Sequence, residues 1–252
     1  MLSFSRVKGV VLCGGEGVRL RPLTYYFQKG MIPIGSRQKP LLEYVVRLMR
    51  YHGILNLCFL VGYKGEQIRN YFSDGNRFGV KLTYVYDRPV FRGTGGAVLN
   101  AFREGDIGCD QTLLIYYGDI LSNVSLTELL KQHHETKAVA TLALARGYQI
   151  PVGVAELRGG RVERLVEKPV LDIFVGVGIL ALDGDALKDL EQLHQEIRET
   201  DIMRHLLPHL VENGRAVCAY VTDAFWYDVG STEQYEKLEN STIDDQFAGI
   251  LV

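Results

Sequence analysis

Short apolar runs alternate along the chain with stretches whose apolar positions recur every three to four residues. "VKGVVLCGG", from Val7 to Gly15, predicts a buried strand that stops in glycine. "KPLLEYVVRLMRYHG" predicts a helix, because Leu41, Leu42, Val45, Val46, Leu48 and Met49 recur at helical spacing, with Pro40 near the first turn and Gly53 as the stop. "NLCFLVGY" reads as a second strand, "EQIRNYF" as a second helix, "KLTYVYD" as a third strand, "GGAVLNAF" as a short helix and "TLLIYYGD" as a fourth strand. "SLTELLKQHHETK" opens a helix on a capping box formed by Ser125 and Glu128. This βαβα order predicts an α/β fold, a mostly parallel (mixed) sheet with helices on both faces. Ligands of such sheets bind at the carboxyl ends of the strands, and Gly14 and Asp119 each follow such an end.

The second half changes character. "AVATLALA" reads as a strand, "GVAELRGGRVERLVEKP" as a hairpin turning at Gly159-Gly160, and "FVGVGILALD" as a further strand. A charged helical stretch is predicted from Ala186 to about Asn213, then strands at "AVCAYVT" and "AFWYDVG", then a helix from about Thr232. No linker rich in Pro, Gly or Ser and no internal repeat divides the chain. A single domain over 1–252 is expected, with a nucleotide-binding half at about 1–135 and a substrate half at about 136–252.

Composition narrows the partners. A formal net charge of −2 gives no general attraction to nucleic acid or to an anionic membrane, so any anion site must be local. No apolar run is long enough to span a bilayer, and the start lacks a signal-peptide pattern. Cys13, Cys58, Cys109 and Cys218 form no C-x-x-C pair, which argues against a zinc site and sets a cytoplasmic location as the expectation.

The stretch "VVLCGGEGVRLRPLT" joins a buried strand to Gly14, Gly15 and Gly17 and then to Arg19 and Arg21. Glycines after a strand let backbone N–H groups face an anion, and arginines add paired donors. The spacing is neither that of a P-loop nor that of a dinucleotide fingerprint, which leaves a dinucleotide-dependent oxidoreductase poorly supported. On the glycines alone, a tight surface turn with solvated arginines remains the alternative.

Six segments in order carry a family resemblance over nearly the whole chain. "LCGGEGVRLRPLT" resembles the L-x-G-G-x-G-T-R-L-x-P-L-T opening of sugar-1-phosphate nucleotidyltransferases, with Val18 in place of threonine. "QKGMIPIGSRQKPLLEYVV", "RGTGGAV", "YYGDIL", "VEKP" and "WYDVGSTEQY" are similar to later segments of that family, the "RGTGGAV" stretch to its mannose-1-phosphate guanylyltransferase branch. The resemblance implies a Rossmann-like domain that converts an NTP and a sugar 1-phosphate into an NDP-sugar and pyrophosphate with Mg²⁺.

By the same resemblance, Arg19 and Lys29 are the catalytic charges, and Leu12, Gly14, Gly15, Gly17, Asp87, Gly93 and Thr94 line the nucleotide. Gly153, Glu167, Lys168 and Gly176 meet the sugar phosphate, and Asp119 and Asp228 hold the metal. Lys29 lies between Gln28 and Gly30 where most relatives have prolines, and Gly176 stands where the family often places a sugar-binding asparagine. The "RGTGGAV" stretch leans towards GTP and mannose 1-phosphate, with UTP or dTTP and glucose 1-phosphate open. The rival reading is a regulatory subunit that binds nucleotide sugar without turnover. The chain leaves no room for the β-helix that many relatives append, so acetyl transfer is not expected, and a homo-oligomer is left open.

Overall fold

The computed structural model describes residues 6–251. Seven strands form one sheet, in the spatial order β12 (Val217–Thr222), β8 (Ala140–Gln149), β11 (Val170–Asp183), β6 (Thr112–Tyr117), β1 (Val7–Cys13), β4 (Asn56–Val61) and β5 (Lys81–Tyr86). Only β11 runs antiparallel to its neighbours. The fold is therefore the mostly parallel mixed sheet that the alternation implies.

Period-two alternation of the central strands builds two cores. Val11, Leu57, Phe59, Val61, Leu114 and Tyr116 point to one face, where they meet α1 (Leu41–Tyr51), α2 (Gly65–Phe72), α4 (Leu126–Thr136) and α8 (Asn240–Phe247). Val10, Cys58, Leu60, Leu113 and Ile115 point to the other, against α3 (Gly93–Glu104), α5 (Ala186–Glu196) and α6 (Leu207–Glu212). Burying one Val or Leu side chain contributes about 1.5–3 kcal/mol, so the two cores, built by strands and helices together, are a large stabilising contribution. Cys13 and Cys58 are buried among them as small apolar residues.

Short elements complete the frame: β2 (Pro33–Ile34) pairs β3 (Lys39–Pro40), and β7 (Ile120–Ser122) pairs β13 (Trp226–Asp228), with α7 (Thr232–Lys237) following. The Ser125 side chain accepts from Glu128 N at 3.3 Å, as the capping signal at α4 requires.

The predicted helix from Ala186 to about Asn213 is interrupted. It stops at Glu196, and helical structure resumes at Ile202. Between them Thr200 donates its N–H to Arg92 O at 3.0 Å and turns its carbonyl to Gly95 N and Gly96 N at 2.9 and 3.2 Å. A residue inside a helix has both groups engaged by its own turns, so capping α3 from here breaks the helix.

Beyond the core, β8 and β11 continue into an arm that carries the hairpin β9 (Val154–Arg158) and β10 (Arg161–Val166). Its turn residues Gly159 and Gly160 both have positive φ, as a two-residue hairpin turn demands.

Candidate active site

A cleft of ≈ 1090 Å³ opens at the carboxyl ends of β1, β4, β5 and β6. Its lining includes Leu12, Gly14, Gly15, Lys29, Asp87, Gly93, Thr94 and Asp119. Eight residues singled out in sequence thus share one cavity, from four separate stretches of chain. Strand β1 delivers Leu12 and the glycines, the turn after β5 delivers Asp87, and the turn after β6 delivers Asp119.

The glycine loop works by lacking side chains. A Cβ on Gly14 would lie 2.3 Å from Asp87 Oδ2, and one on Gly62 would lie 2.1 Å from the same atom. The Asp87 carboxylate is thus wedged between two bare backbones, and burial pushes its pKa up. Gly17 takes φ +63°, and a Cβ there would approach Lys29 Cβ at 3.3 Å, so the lysine stem packs against the loop.

Lys29 and Asp119, ninety residues apart, form a partly buried ion pair between Nζ and Oδ2. Asp228 reaches the same place through the β7–β13 ladder, where Val229 N donates to Asp119 O at 2.9 Å. Arg19 closes the group, since a Cβ on Gly230 would lie 2.5 Å from Asp228 Oδ1 and 3.0 Å from Arg19 Nη2. Burial, and then the Asp119 carboxylate, push the Asp228 pKa up, while Lys29 and Arg19 pull against that rise. Asp228 Oδ1 is buried without a hydrogen-bond partner. Two neighbouring carboxylates, one with an orphaned oxygen, are a donor set that fits a hard divalent cation completed by phosphate and water. Among the described residues no cluster of three or more His, Cys, Asp or Glu side chains offers a self-sufficient metal site.

The remaining residues are placed differently. The Thr94 hydroxyl donates to Asp201 Oδ2 at 2.8 Å and accepts from Ile202 N at 2.9 Å, so it ties α3 to the segment after the helix break. Gly153 and Glu167 are neighbours on the arm, a Cβ on Gly153 lying 3.0 Å from Glu167 Oε2. Lys168 has φ 48° and its carbonyl accepts from Gln149 Nε2 at 3.2 Å. Gly176 faces Met203, whose Cε would sit 3.3 Å from an added Cβ. Gly153, Glu167, Lys168 and Gly176 do not line the cleft, nor do Gly17, Arg19 and Asp228. Sequence reasoning passed over Gln28, Tyr63, Arg198 and Glu199, all of which line it. Arg198 and Glu199 were hidden inside an uninterrupted helical pattern, and Gln28 carries no signal by itself.

Residues 8–245 match the sequence profile of the family described as "Nucleotidyl transferase". The chain belongs to that family. It is 30% identical over 247 residues to a UTP–glucose-1-phosphate uridylyltransferase of Synechocystis sp., a match covering 91% of this chain and 61% of that protein. The chain thus spans about three fifths of that relative's length. It is 29% identical over 241 residues to the D-glycero-alpha-D-manno-heptose 1-phosphate guanylyltransferase of Aneurinibacillus thermoaerophilus, covering 92% of this chain and 97% of that one. Among solved structures, a UDP-glucose pyrophosphorylase complexed with UDP-glucose superposes with a TM-score of 0.72 at 22% identity, covering 94% of this chain and 98% of that chain. That likeness is one of fold. No helix among the described residues is long and apolar enough to cross a membrane.

Proposed function

We propose that this chain transfers a nucleotidyl group from an NTP to a sugar 1-phosphate, giving an NDP-sugar and pyrophosphate, with GTP and mannose 1-phosphate as the favoured pair. The observation that carries the reading is the meeting of Lys29, Arg19, Asp119 and Asp228 beside a cleft that Lys29, Asp119, Gly14 and Gly15 line. Membership of the nucleotidyl transferase family supports it.

The reaction brings two anions together, so catalysis is mostly positioning and charge neutralisation. A phosphate oxygen of the sugar 1-phosphate attacks the α-phosphorus, and the bond to the bridging oxygen of the leaving pyrophosphate breaks. The glycine loop offers N–H groups to the triphosphate. Lys29 neutralises the reacting phosphates, and Arg19 the departing pyrophosphate. A divalent cation held by Asp119 and Asp228, in this reading Mg²⁺, would supply polarisation of the α-phosphate. On the arm, Glu167 accepts from sugar hydroxyls beside the bare backbone of Gly153, Lys168 meets the sugar's phosphate, and Gly176 leaves an edge without a polar group.

Asp87 bears on the base. Guanine presents N1–H and N2–H₂ side by side, so one carboxylate accepts from both. Uracil and thymine present a single N–H between two carbonyls, which a carboxylate repels. Asp87→Asn is expected to lower kcat/KM for GTP by about tenfold to a hundredfold, since a bidentate contact discriminates by about 1–3 kcal/mol, and to narrow the gap to UTP. Competition between the two nucleotides in one reaction reads this out, and an unchanged ratio removes Asp87 from base selection.

Glu167→Gln is expected to raise KM for the sugar phosphate more than KM for NTP, because a carboxylate makes stronger bonds to hydroxyls than an amide does. Equal effects on both constants would place Glu167 outside the sugar site. The reading as a whole is tested by pyrophosphate release across a matrix of NTPs and sugar 1-phosphates. Silence across every pair, with nucleotide sugar still bound, would make the chain a regulatory subunit.

A further inference from the structure

The segment that carries Lys29 is exposed and rich in aromatics: Tyr25, Tyr26 and Phe27 are 57%, 73% and 43% exposed. A surface loop of this kind is mobile unless its backbone groups are engaged. Here they are engaged by side chains from the turn after β4 and the first turn of α2. Tyr63 Oη donates to Thr24 O at 3.1 Å, Lys64 Nζ donates to Tyr25 O, and Gln67 Nε2 donates to Tyr26 O at 2.8 Å. Gln67 Oε1 accepts from Gln28 N at 2.6 Å. Tyr63 N in turn donates to Gly14 O at 2.9 Å, which ties the same turn to the glycine loop.

Gln28 itself is 1% exposed. Its Nε2 donates to Cys13 O at 2.7 Å, and its Oε1 accepts from Gly30 N at 2.6 Å. Both amide orientations follow from partners that are backbone groups of known polarity. The two residues flanking Lys29 are therefore held on every side. Gly30 is held additionally by shape, because a Cβ there would lie 2.5 Å from Leu42 Cγ. A proline fixes one backbone torsion by ring closure. At Gln28 the constraint comes instead from hydrogen bonds to β1 and to α2.

We propose that Gln67, acting through Gln28, is the positioning residue for Lys29. The inference rests on the reading of Lys29 as the charge that meets the reacting phosphates. Gln67 is half-buried and is not among the residues that line the cleft. Its two contacts are separable. Gln67→Leu removes both, whereas Gln67→Glu keeps the acceptor for Gln28 N–H and replaces the donor to Tyr26 O with an oxygen that must turn away from that carbonyl.

The experiment compares wild type, Gln67→Leu and Gln67→Glu in two assays. In steady-state pyrophosphate release, Gln67→Leu is expected to lose about tenfold or more in kcat with both KM values within about twofold, since small misplacement of a reacting group costs rate rather than binding. Gln67→Glu should retain at least about half of the wild-type kcat, because its carboxylate accepts the same N–H in a charge-assisted bond. The second assay needs no turnover: Lys29 is labelled with an amine-reactive acylating agent and its peptide is followed by mass spectrometry. Labelling should be faster in Gln67→Leu, where the pairing with Asp119 loosens, and unchanged in Gln67→Glu. Wild-type kcat and labelling in Gln67→Leu would overturn the proposal, as would equal losses in both variants. A wild type that turns over no substrate pair would overturn the transferase reading, and the labelling rates would then decide the positioning role alone.

Discussion

Lys29→Ala is expected to lower turnover by on the order of a hundredfold or more, because in the proposed reaction a charge aimed at the transition state is worth a few kcal/mol in a partly dehydrated site. The lysine is preorganised for this. Its stem packs on Gly17 and its ammonium lies on Asp119. When phosphate groups arrive, the ammonium needs only to share or exchange acceptors at the place it already occupies. The ground state already contains a cation there, so binding of NDP-sugar is expected to weaken less than kcat falls. Lys29→Arg keeps the charge but replaces a compact point donor with a longer planar fork, and should recover only part of the rate. Single-turnover rates and product affinity, measured on the same preparations, check both statements. Unchanged pyrophosphate release by Lys29→Ala would remove the residue from the chemistry.

Asp119→Asn and Asp228→Asn are each expected to abolish metal-dependent turnover, and they should part company in the metal-free protein. Asp228 is a half-buried carboxylate with one orphaned oxygen, and burial and Asp119 raise its pKa. A raised folded-state pKa means that the ionised form is penalised on folding. The penalty is absent below the unfolded-state value of about 3.9 and grows to its full size as pH rises through the folded-state value. At neutral pH the metal-free Asp228→Asn variant should therefore melt higher than wild type, and the gap should close as pH falls through that interval. Asp119→Asn relieves the same repulsion but also leaves Lys29 without its partner, so its melting temperature should change less. Mg²⁺ should stabilise the wild type by mass action and leave Asp228→Asn unmoved. A thermal-shift series over pH, with and without Mg²⁺, reads all three. Retained metal-dependent turnover in either variant would defeat the two-carboxylate assignment.

The two variants show how local and distant information differ in this chain. Asp119 was legible as a candidate because a glycine and an aspartate after an apolar strand mark a strand end, and strand ends of a parallel sheet face the ligand. Its pairing with Lys29 was not legible, because residues ninety positions apart meet only once β1 and β6 lie side by side. The arm behaves similarly. Gly159-Gly160 announced the hairpin turn, yet nothing local stated that β8 and β11 would carry it beyond the core.

What the sequence determined by itself was set by periodicity and by glycine. Alternation placed Val10 and Val11 on opposite faces, and the glycines after Cys13 ended β1 where a side chain would strike Asp87. Those are short-range effects of burial and steric exclusion, and a reader of residues can reconstruct them. The break at residues 197–201, the meeting of Asp119 with Asp228 at the end of the β7–β13 pair, and the clamp of Gln67 on the segment before Lys29 were decided by tertiary structure. Each depends on a backbone or side-chain hydrogen-bonding group whose partner is distant in sequence. Such a group shows no periodicity, and only the packed sheet determines which partner it meets.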